Sequence, residues 1–346
     1  MAIVTSLAVY NFRSHEAFSF SPSPTTTVIT GANGSGKTTL IEAIYIALRG
    51  RSFRGSDGDV LMNGTPWWRL ELVLDDQKRQ VTFDPDKNTK KKQFVVGDKI
   101  QARLLEKDKY PVILFEPDDL RLLNGSPSRR RRFIDTFISQ INPNYAQAFR
   151  RYERALKQRN SLLKKSGVSR DDLFAWDIAL SDYGAYIIEQ RIIFTEKINS
   201  SLTDTYNRVA HSPDTVSVHY SHTLIGDGKQ KLLSELHQNL ARDIAIGSTT
   251  TGPHRHDIIF KFNDSPALSI ASRGEVRTIL LALKFIEVEI TEELTGNKPI
   301  ILLDDVFSEL DPARQEALSS TINSHQIIIT STHTVSDKNK FKQVKL

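Results

Sequence analysis

The chain has 346 residues, 39% hydrophobic and 25% charged, with a formal net charge of +5 and no cysteine. That length suggests roughly two domains with a sizeable buried core, and the basic excess favours a polyanionic partner such as nucleic acid. The absence of cysteine excludes disulfides, thiol catalysis and cysteine zinc sites, and no apolar run reaches the ~18 residues that cross a bilayer, so a cytoplasmic protein is expected.

The opening Met1-Ala-Ile-Val-Thr-Ser-Leu7 reads as a strand rather than a signal peptide, because no basic start precedes an apolar run. Residues 28–30 form a short apolar strand, and 36–48 carry helical periodicity. Residues 69–75 alternate with period two, as a half-buried strand does, and 111–115 read as another strand. The lysine-rich Lys87-Asn-Thr-Lys-Lys-Lys92 is expected to be an exposed loop. Ser126-Pro127 is a helix-start pair, and the texture then turns helical. Residues 129–165 are broken only by Asn142-Pro143. A turn at 167–172 leads into a second long helix, 173–202. The two make a short antiparallel arm, too irregular for a long coiled coil. A strand at 216–220 interrupts the helices. Strands at 257–262, 300–303 and 326–330 then alternate with helices at 276–294 and 312–322, which implies a partly parallel sheet. The expected organisation is one α/β head in two parts, 1–124 and 243–346, joined in one sheet and split by a mostly helical insertion, 125–242.

Gly31-Ala32-Asn33-Gly34-Ser35-Gly36-Lys37-Thr38 fits G-x-x-x-x-G-K-[ST] between a strand and a helix. Its glycines let the backbone wrap around phosphate oxygens, and the helix N-terminus adds positive potential. Lys37 is expected to reach the β- and γ-phosphates of ATP, and Thr38 to coordinate Mg²⁺. Ile300-Ile-Leu-Leu-Asp304-Asp305 is an apolar strand that delivers two carboxylates to the ligand edge of an open α/β sheet. Asp304 is the expected Mg²⁺ carboxylate, and Asp305 the group that polarises the attacking water. Ser272-Arg-Gly-Glu275 precedes a long helix. Ser272 offers a hydroxyl, Gly274 permits close backbone approach, and the helix end favours an anion. The same four residues also make an ordinary helix cap.

In this order the loop, the Ser272 tetrapeptide and the acidic strand resemble the P-loop ATPase heads of the ABC class. Tyr10-Asn-Phe-Arg-Ser-His15 looks like a segment of SMC-related heads, which makes Arg13 a candidate nucleotide contact. Further blocks are similar to the RecF family across nearly the whole chain. They are Gly50-Arg-Ser-Phe-Arg54, Phe115-Glu-Pro-Asp-Asp-Leu120, Asn124-Gly-Ser-Pro-Ser-Arg-Arg-Arg-Arg-Phe-Ile-Asp135, Trp176-Asp177, Gly252-Pro-His-Arg-His-Asp257 and Leu302-Leu-Asp-Asp-Val-Phe-Ser-Glu-Leu-Asp311. The resemblance implies an ABC-type head with a mixed sheet and an inserted helical arm. It implies a weak, DNA-stimulated ATPase and an ATP-induced head-to-tail homodimer, in which Ser272 of one copy closes over the nucleotide held by Lys37 of the other. Ser308-Glu-Leu-Asp311 resembles the loop that crosses that interface. The implied partners are DNA, with a preference for gap junctions, then RecR, and through it RecO and RecA.

Three departures stand out. His256 replaces an acid, Glu275 replaces a glutamine, and Asp305 replaces the usual glutamate. Asp is one methylene shorter than Glu, so hydrolysis is expected to be slow, a timed switch rather than a motor. His333 lies where wider ABC heads place a switch histidine, and Glu116 near their glutamine loop. Arg129 to Arg132, with Arg150, Arg151 and Arg154, are candidate DNA-phosphate contacts. The same run also reads as a solvated or inward-packed helix face. No aromatic stacking platform is visible, which favours duplex contact. Three other readings stay open. They are a transporter ATPase, an SMC-like nuclease subunit (whose added domain would follow the head) and a non-hydrolysing ATP clamp.

Overall fold

The computed structural model describes residues 2–223, 226–306, 310–332 and 341–346. The chain divides into two units, Met1–Leu120 with Lys284–Leu346, and Arg121–Leu283.

In the first unit, β3 (Thr26–Thr30), β8 (Val112–Phe115), β12 (Ile300–Asp304), β13 (Ile327–Ser331) and β14 (Lys342–Lys345) form a parallel sheet in the order β14-β3-β13-β12-β8. Strands from both ends of the sequence interleave, as the motif order implies. β12 and β13 are buried throughout, which is why they read as continuous apolar runs. A second, antiparallel sheet contains β1 (Val4–Phe12), β2 (His15–Phe20), β4 (Trp68–Leu74), β5 (Gln77–Phe83), β6 (Lys92–Val96) and β7 (Lys99–Gln101), in the order β2-β1-β4-β5-β6-β7. Helix α1 (Lys37–Arg49) shares one core with Leu7, Val9 and Leu70 of this sheet and with Ile29, Leu302 and Ile328 of the parallel one. Its run Leu40-Ile-Glu-Ala-Ile-Tyr-Ile-Ala-Leu48 is apolar nearly all round because the helix is covered on every side. Residues 87–91 are exposed as expected, but Lys92 is not. It opens β6, donates to Gly50 O at 3.1 Å, pairs with Asp57 and lies over the Trp68 ring.

In the second unit, α2 (Pro127–Ile141) and α3 (Pro143–Leu163) are separated by Asn142, whose side chain caps α3 through Tyr145 N–H. α4 (Arg170–Ala210) starts at a reciprocal Ser169–Asp172 capping box and runs well past its expected end. α3 and α4 pack with α5 (Gly228–Gln238). Gly184 permits this, since a Cβ there would lie 2.6 Å from Leu232 and 3.2 Å from Tyr152. α6 (Leu240–Ile246) follows. β9 (Val216–Tyr220), β10 (Ile258–Phe262) and β11 (Ser265–Pro266) form a small antiparallel sheet, β11-β10-β9.

β10 therefore differs from its expected place in the head sheet, and the second boundary falls at 283/284 rather than 242/243. Buried ion pairs supply the reason. Arg159 of α3 is 0% exposed and donates to Asp177 at 2.6 Å, Asp243 at 2.6 Å and Thr249 at 2.9 Å. Arg191 of α4 donates to Asp135 at 2.8 Å and to Pro253 O at 2.7 Å. Buried charges hold firmly once paired, so these contacts fasten residues 243–257 to the helices. α7 (Ala267–Ile270) precedes α8 (Arg273–Thr295), which continues into the first unit, and α9 (Pro312–Thr321) is capped by Asp311. No described helix is long and apolar enough to cross a membrane.

Candidate nucleotide-binding site

β3 delivers the glycine-rich loop to the carboxyl edge of the parallel sheet, where ligands of open α/β sheets bind. Gly36 has φ 95°, and a Cβ there would strike the His15 ring and lie 2.7 Å from Ser14 Oγ. Glycine alone satisfies both constraints. His15 Nε2 lies 3.2 Å from Gly36 O and braces the loop from β2. α1 begins with no side-chain cap and no acidic residue in its first turn, so its N-terminal positive potential remains available to an anion. Ser35 Oγ is buried with no partner among the described residues. Lys37 is buried too, and its Nζ donates to Gly31 O and Ala32 O, both at 3.0 Å. The loop thus gathers an orphan hydroxyl, a curled-back ammonium and a helix end, a donor set that fits a polyphosphate.

Asp304 ends β12 beside this loop. Thr38 Oγ1 and Thr330 Oγ1 each donate to Asp304 Oδ1 at 2.8 Å. Burial pushes the Asp304 carboxyl up, the two hydroxyls pull it back, Asp305 adds to the rise and Arg54 opposes it. The oxygens of Thr38 and Asp304 are the hard donors that Mg²⁺ takes, so the residues present fit that ion. Asp305 leaves the strand at φ 53°, and its N–H donates to Thr330 Oγ1 at 2.9 Å. Such a left-handed non-glycine conformation is costly and clusters at functional sites.

Arg13, also left-handed at φ 51°, approaches the buried carboxylate of Glu42 on α1. Its Nε and Nη2 donate to Glu42 at 2.5 and 2.7 Å, and its Nη1 to Asp59 O at 3.0 Å. Arg54 Nη2 donates to Glu42 Oε2 at 2.7 Å, and Ser52 Oγ donates to Glu42 Oε1 at 2.5 Å. Burial raises the Glu42 carboxyl, but the bonds from Arg13, Ser52 and Arg54 outweigh it and hold its pKa below the usual range.

His15, Glu42, Ser52, Arg54 and Thr330 are members of this site that sequence reasoning missed. Glu42 was detectable as the one carboxylate in an apolar helix, and Thr330 as the polar end of an apolar strand. His15 carried no signal of its own.

Ser272 and Gly274 belong to the second unit. Ser272 N–H donates to Glu275 Oε2 at 2.5 Å, and Glu275 N–H to Ser272 Oγ at 3.3 Å, a reciprocal cap of α8. The substituted Glu275 is thereby tied to its own helix start. Gly274 O accepts from Thr278 Oγ1 at 3.1 Å. Ser308 and His333 lie outside the described residues. Glu116 N–H donates to Asp119 Oδ2 at 2.9 Å, at the head of the 3₁₀ turn Pro117–Arg121. His256 accepts from or donates to Tyr220 Oη at 2.7 Å and stacks on His222, with ring centroids 4.2 Å apart. Within the arginine run, Arg130 bonds Asp257 at 2.7 Å and Arg131 bonds His256 O at 2.6 Å, so both brace their own unit. Arg150, Arg151 and Arg154 are exposed on α3.

Residues 26–335 match a family described as "AAA domain, putative AbiEii toxin, Type IV TA system". The DNA replication and repair protein RecF of Lachnoclostridium phytofermentans is 33% identical over 336 residues, covering 95% of this chain and 92% of that protein. RecF of Chlorobium phaeobacteroides is 32% identical over 346 residues, covering 94% of each. A solved structure of the recombination mediator protein RecF with ATP, in the RecFOR pathway, superimposes with a TM-score of 0.87. It is 30% identical and covers 97% of this chain and 93% of that one. The corresponding RecF-ATPrS structure gives 0.90 at 30% identity, covering 100% and 96%. An SMC head bound to the C-winged helix domain of ScpA gives 0.52 at 16% identity over 96% and 90%, a likeness of fold alone.

Proposed function

Because this chain belongs to the RecF family, within the AAA-domain family that spans residues 26–335, we propose that it is an ATP-switched DNA clamp of recombinational gap repair. It is an ABC-type ATPase with a DNA-repair role. The phosphates of ATP lie against the backbone of Gly31 to Gly36, with Lys37 released from the loop carbonyls to meet them. Thr38 and Asp304 would hold Mg²⁺, which would supply charge neutralisation at the phosphates. Asp305 polarises the attacking water. Its short side chain makes turnover slow, below ~1 per second, against ordinary enzyme rates.

ATP then joins two copies head to tail, with Ser272 and Gly274 of one closing over the nucleotide on the other. Hydrolysis releases the pair. The exposed arginines of α3 contact DNA phosphates, and the loaded clamp marks a gap for RecR, RecO and RecA. The observation that carries this reading is the Thr38–Asp304 contact. Residues 266 positions apart meet at 2.8 Å and complete a phosphate and metal edge. The RecF likeness over 95% of the chain leaves the transporter reading without support.

Gel filtration with ATP and short gapped DNA tests the proposal. Wild type is expected to elute as a DNA-bound dimer with ATP, and Lys37→Met as a monomer that leaves DNA free. A wild-type monomer indifferent to ATP defeats the clamp.

A further inference from the structure

Glu42 sits just over one turn beyond Lys37 on α1, is 0% exposed, and ties two other segments to the helix. Arg13 comes from the end of β1, while Ser52 and Arg54 come from the stretch that follows α1. Arg13 forks onto both carboxylate oxygens, and Arg54 and Ser52 take one each. The carboxylate is sealed, yet the cations are not, with the Arg13 side chain 24% exposed and that of Arg54 33%. The Glu42 carboxylate thus holds two part-exposed guanidiniums, and the Asp59 carboxylate adds to the field on Arg13.

Sealing a carboxylate costs solvation unless it is paired, and its neighbours on α1 are apolar. A free arginine side chain carries rotamer entropy that is lost when it is fixed. Fixing two of them in advance removes that cost from a later binding event. We propose that Glu42 is a positioning residue that pre-sets Arg13 and Arg54 for the triphosphate of the bound nucleotide. This rests on the reading of Lys37 as the phosphate-binding lysine.

The test uses the full chain with Glu42→Gln, Glu42→Asp and Lys37→Met, each checked by thermal melting. Equilibrium binding of a fluorescent ATP analogue with Mg²⁺ is measured beside steady-state KM and kcat. Glu42→Gln is expected to raise Kd and KM about tenfold, the loss of a charge-assisted contact, and to change kcat by less than about threefold. Glu42→Asp recovers part of the affinity. Adding Arg13→Gln to Glu42→Gln weakens binding no further, because the two changes break one unit. A folded Glu42→Gln with wild-type Kd overturns the proposal.

Should Glu42→Gln melt, Arg13→Lys and Arg54→Lys carry the test, since each keeps its charge and loses its fork. Unchanged Kd in both also overturns it. Lys37→Met separates the two levels of inference. Affinity retained in that variant removes the nucleotide reading itself. Affinity lost there but kept in Glu42→Gln removes only the positioning role.

Discussion

The hydroxyl of Thr330 lies 2.8 Å from Oδ1 of Asp304, the same oxygen that receives Thr38. A carboxylate oriented from behind by a hydroxyl presents its free side to a metal. Asp304→Asn removes the charge and keeps the shape. It is expected to lower Mg²⁺-dependent ATPase activity at least about 100-fold, while nucleotide still binds without metal. Thr330→Val removes one of the two hydroxyls that hold the carboxylate, and the Mg²⁺ concentration for half-maximal activity is expected to rise about tenfold. Magnesium titrations of hydrolysis read both, and a flat response to Thr330→Val removes its orienting role.

The fit of His15 against Gly36 makes the loop sensitive to a single methyl group. Gly36→Ala places a Cβ into the His15 ring and forces φ 95° on a residue that avoids it. Loss of measurable ATP binding is expected, with the fold retained by circular dichroism. His15→Ala opens the clash but removes the brace at Gly36 O. It is expected to weaken ATP binding severalfold, the scale of one hydrogen bond of about 1 kcal/mol. Combining the two, which removes the clash with the His15 ring and leaves that with Ser14 Oγ, should recover some of the binding lost in Gly36→Ala.

Arg159 balances two buried carboxylates, Asp177 and Asp243, both at 2.6 Å. Arg159→Met fills similar space and leaves both charges uncompensated. A loss of about 3–5 kcal/mol in the second unit is expected from urea unfolding. Restoring neutrality with Asp177→Asn and Asp243→Asn in the same chain should regain much of it. Equal stability for Arg159→Met and wild type contradicts the role given to this network.

His254 and His256 are pushed down to about 4 and about 3, chiefly by burial. Both rings are neutral in the folded protein, and His254 is held between Tyr152 Oη at 2.7 Å and Thr249 O at 3.0 Å. In the unfolded chain they titrate near 6.5. Between these values the unfolded state binds more protons, so stability is present above about 6.5 and falls as pH drops towards 4 and 3. Unfolding at about pH 5 is expected to need on the order of 2 kcal/mol less than at about pH 7.5, after allowance for solvent screening. His254→Gln with His256→Asn should flatten that slope. An unchanged slope assigns it to other groups.

The glycine-rich loop and the acidic strand were legible because their chemistry is written in contiguous residues. β12 and β13 were legible as unbroken apolar runs. Thr330 and Glu42 were not, because their roles arise from strand order and from cations distant in sequence. Alternation of strands and helices located β10 but could not say which sheet it joins. That depends on pairing with β9 and on the pull of Arg159 and Arg191. Lys92 was misread because a lysine run resembles a solvated loop, whereas its stem lies over Trp68 and its ammonium meets Asp57. The end of α4 was placed too early because polar residues along its exposed face blurred the apolar repeat.

β3 has no strand neighbour made close to it in time. Its partners are β13 and β14, some three hundred positions later in the chain. On the ribosome, the glycine-rich loop is therefore finished early and lacks the strand neighbours of β3 while most of the polypeptide is made. Contacts of such long sequence separation form late. A nascent chain stalled before residue 300 carries the glycine loop without Asp304 or Thr330 beside it. The edge that gathers the loop, Asp304 and Thr330 is thus completed only when synthesis is nearly done.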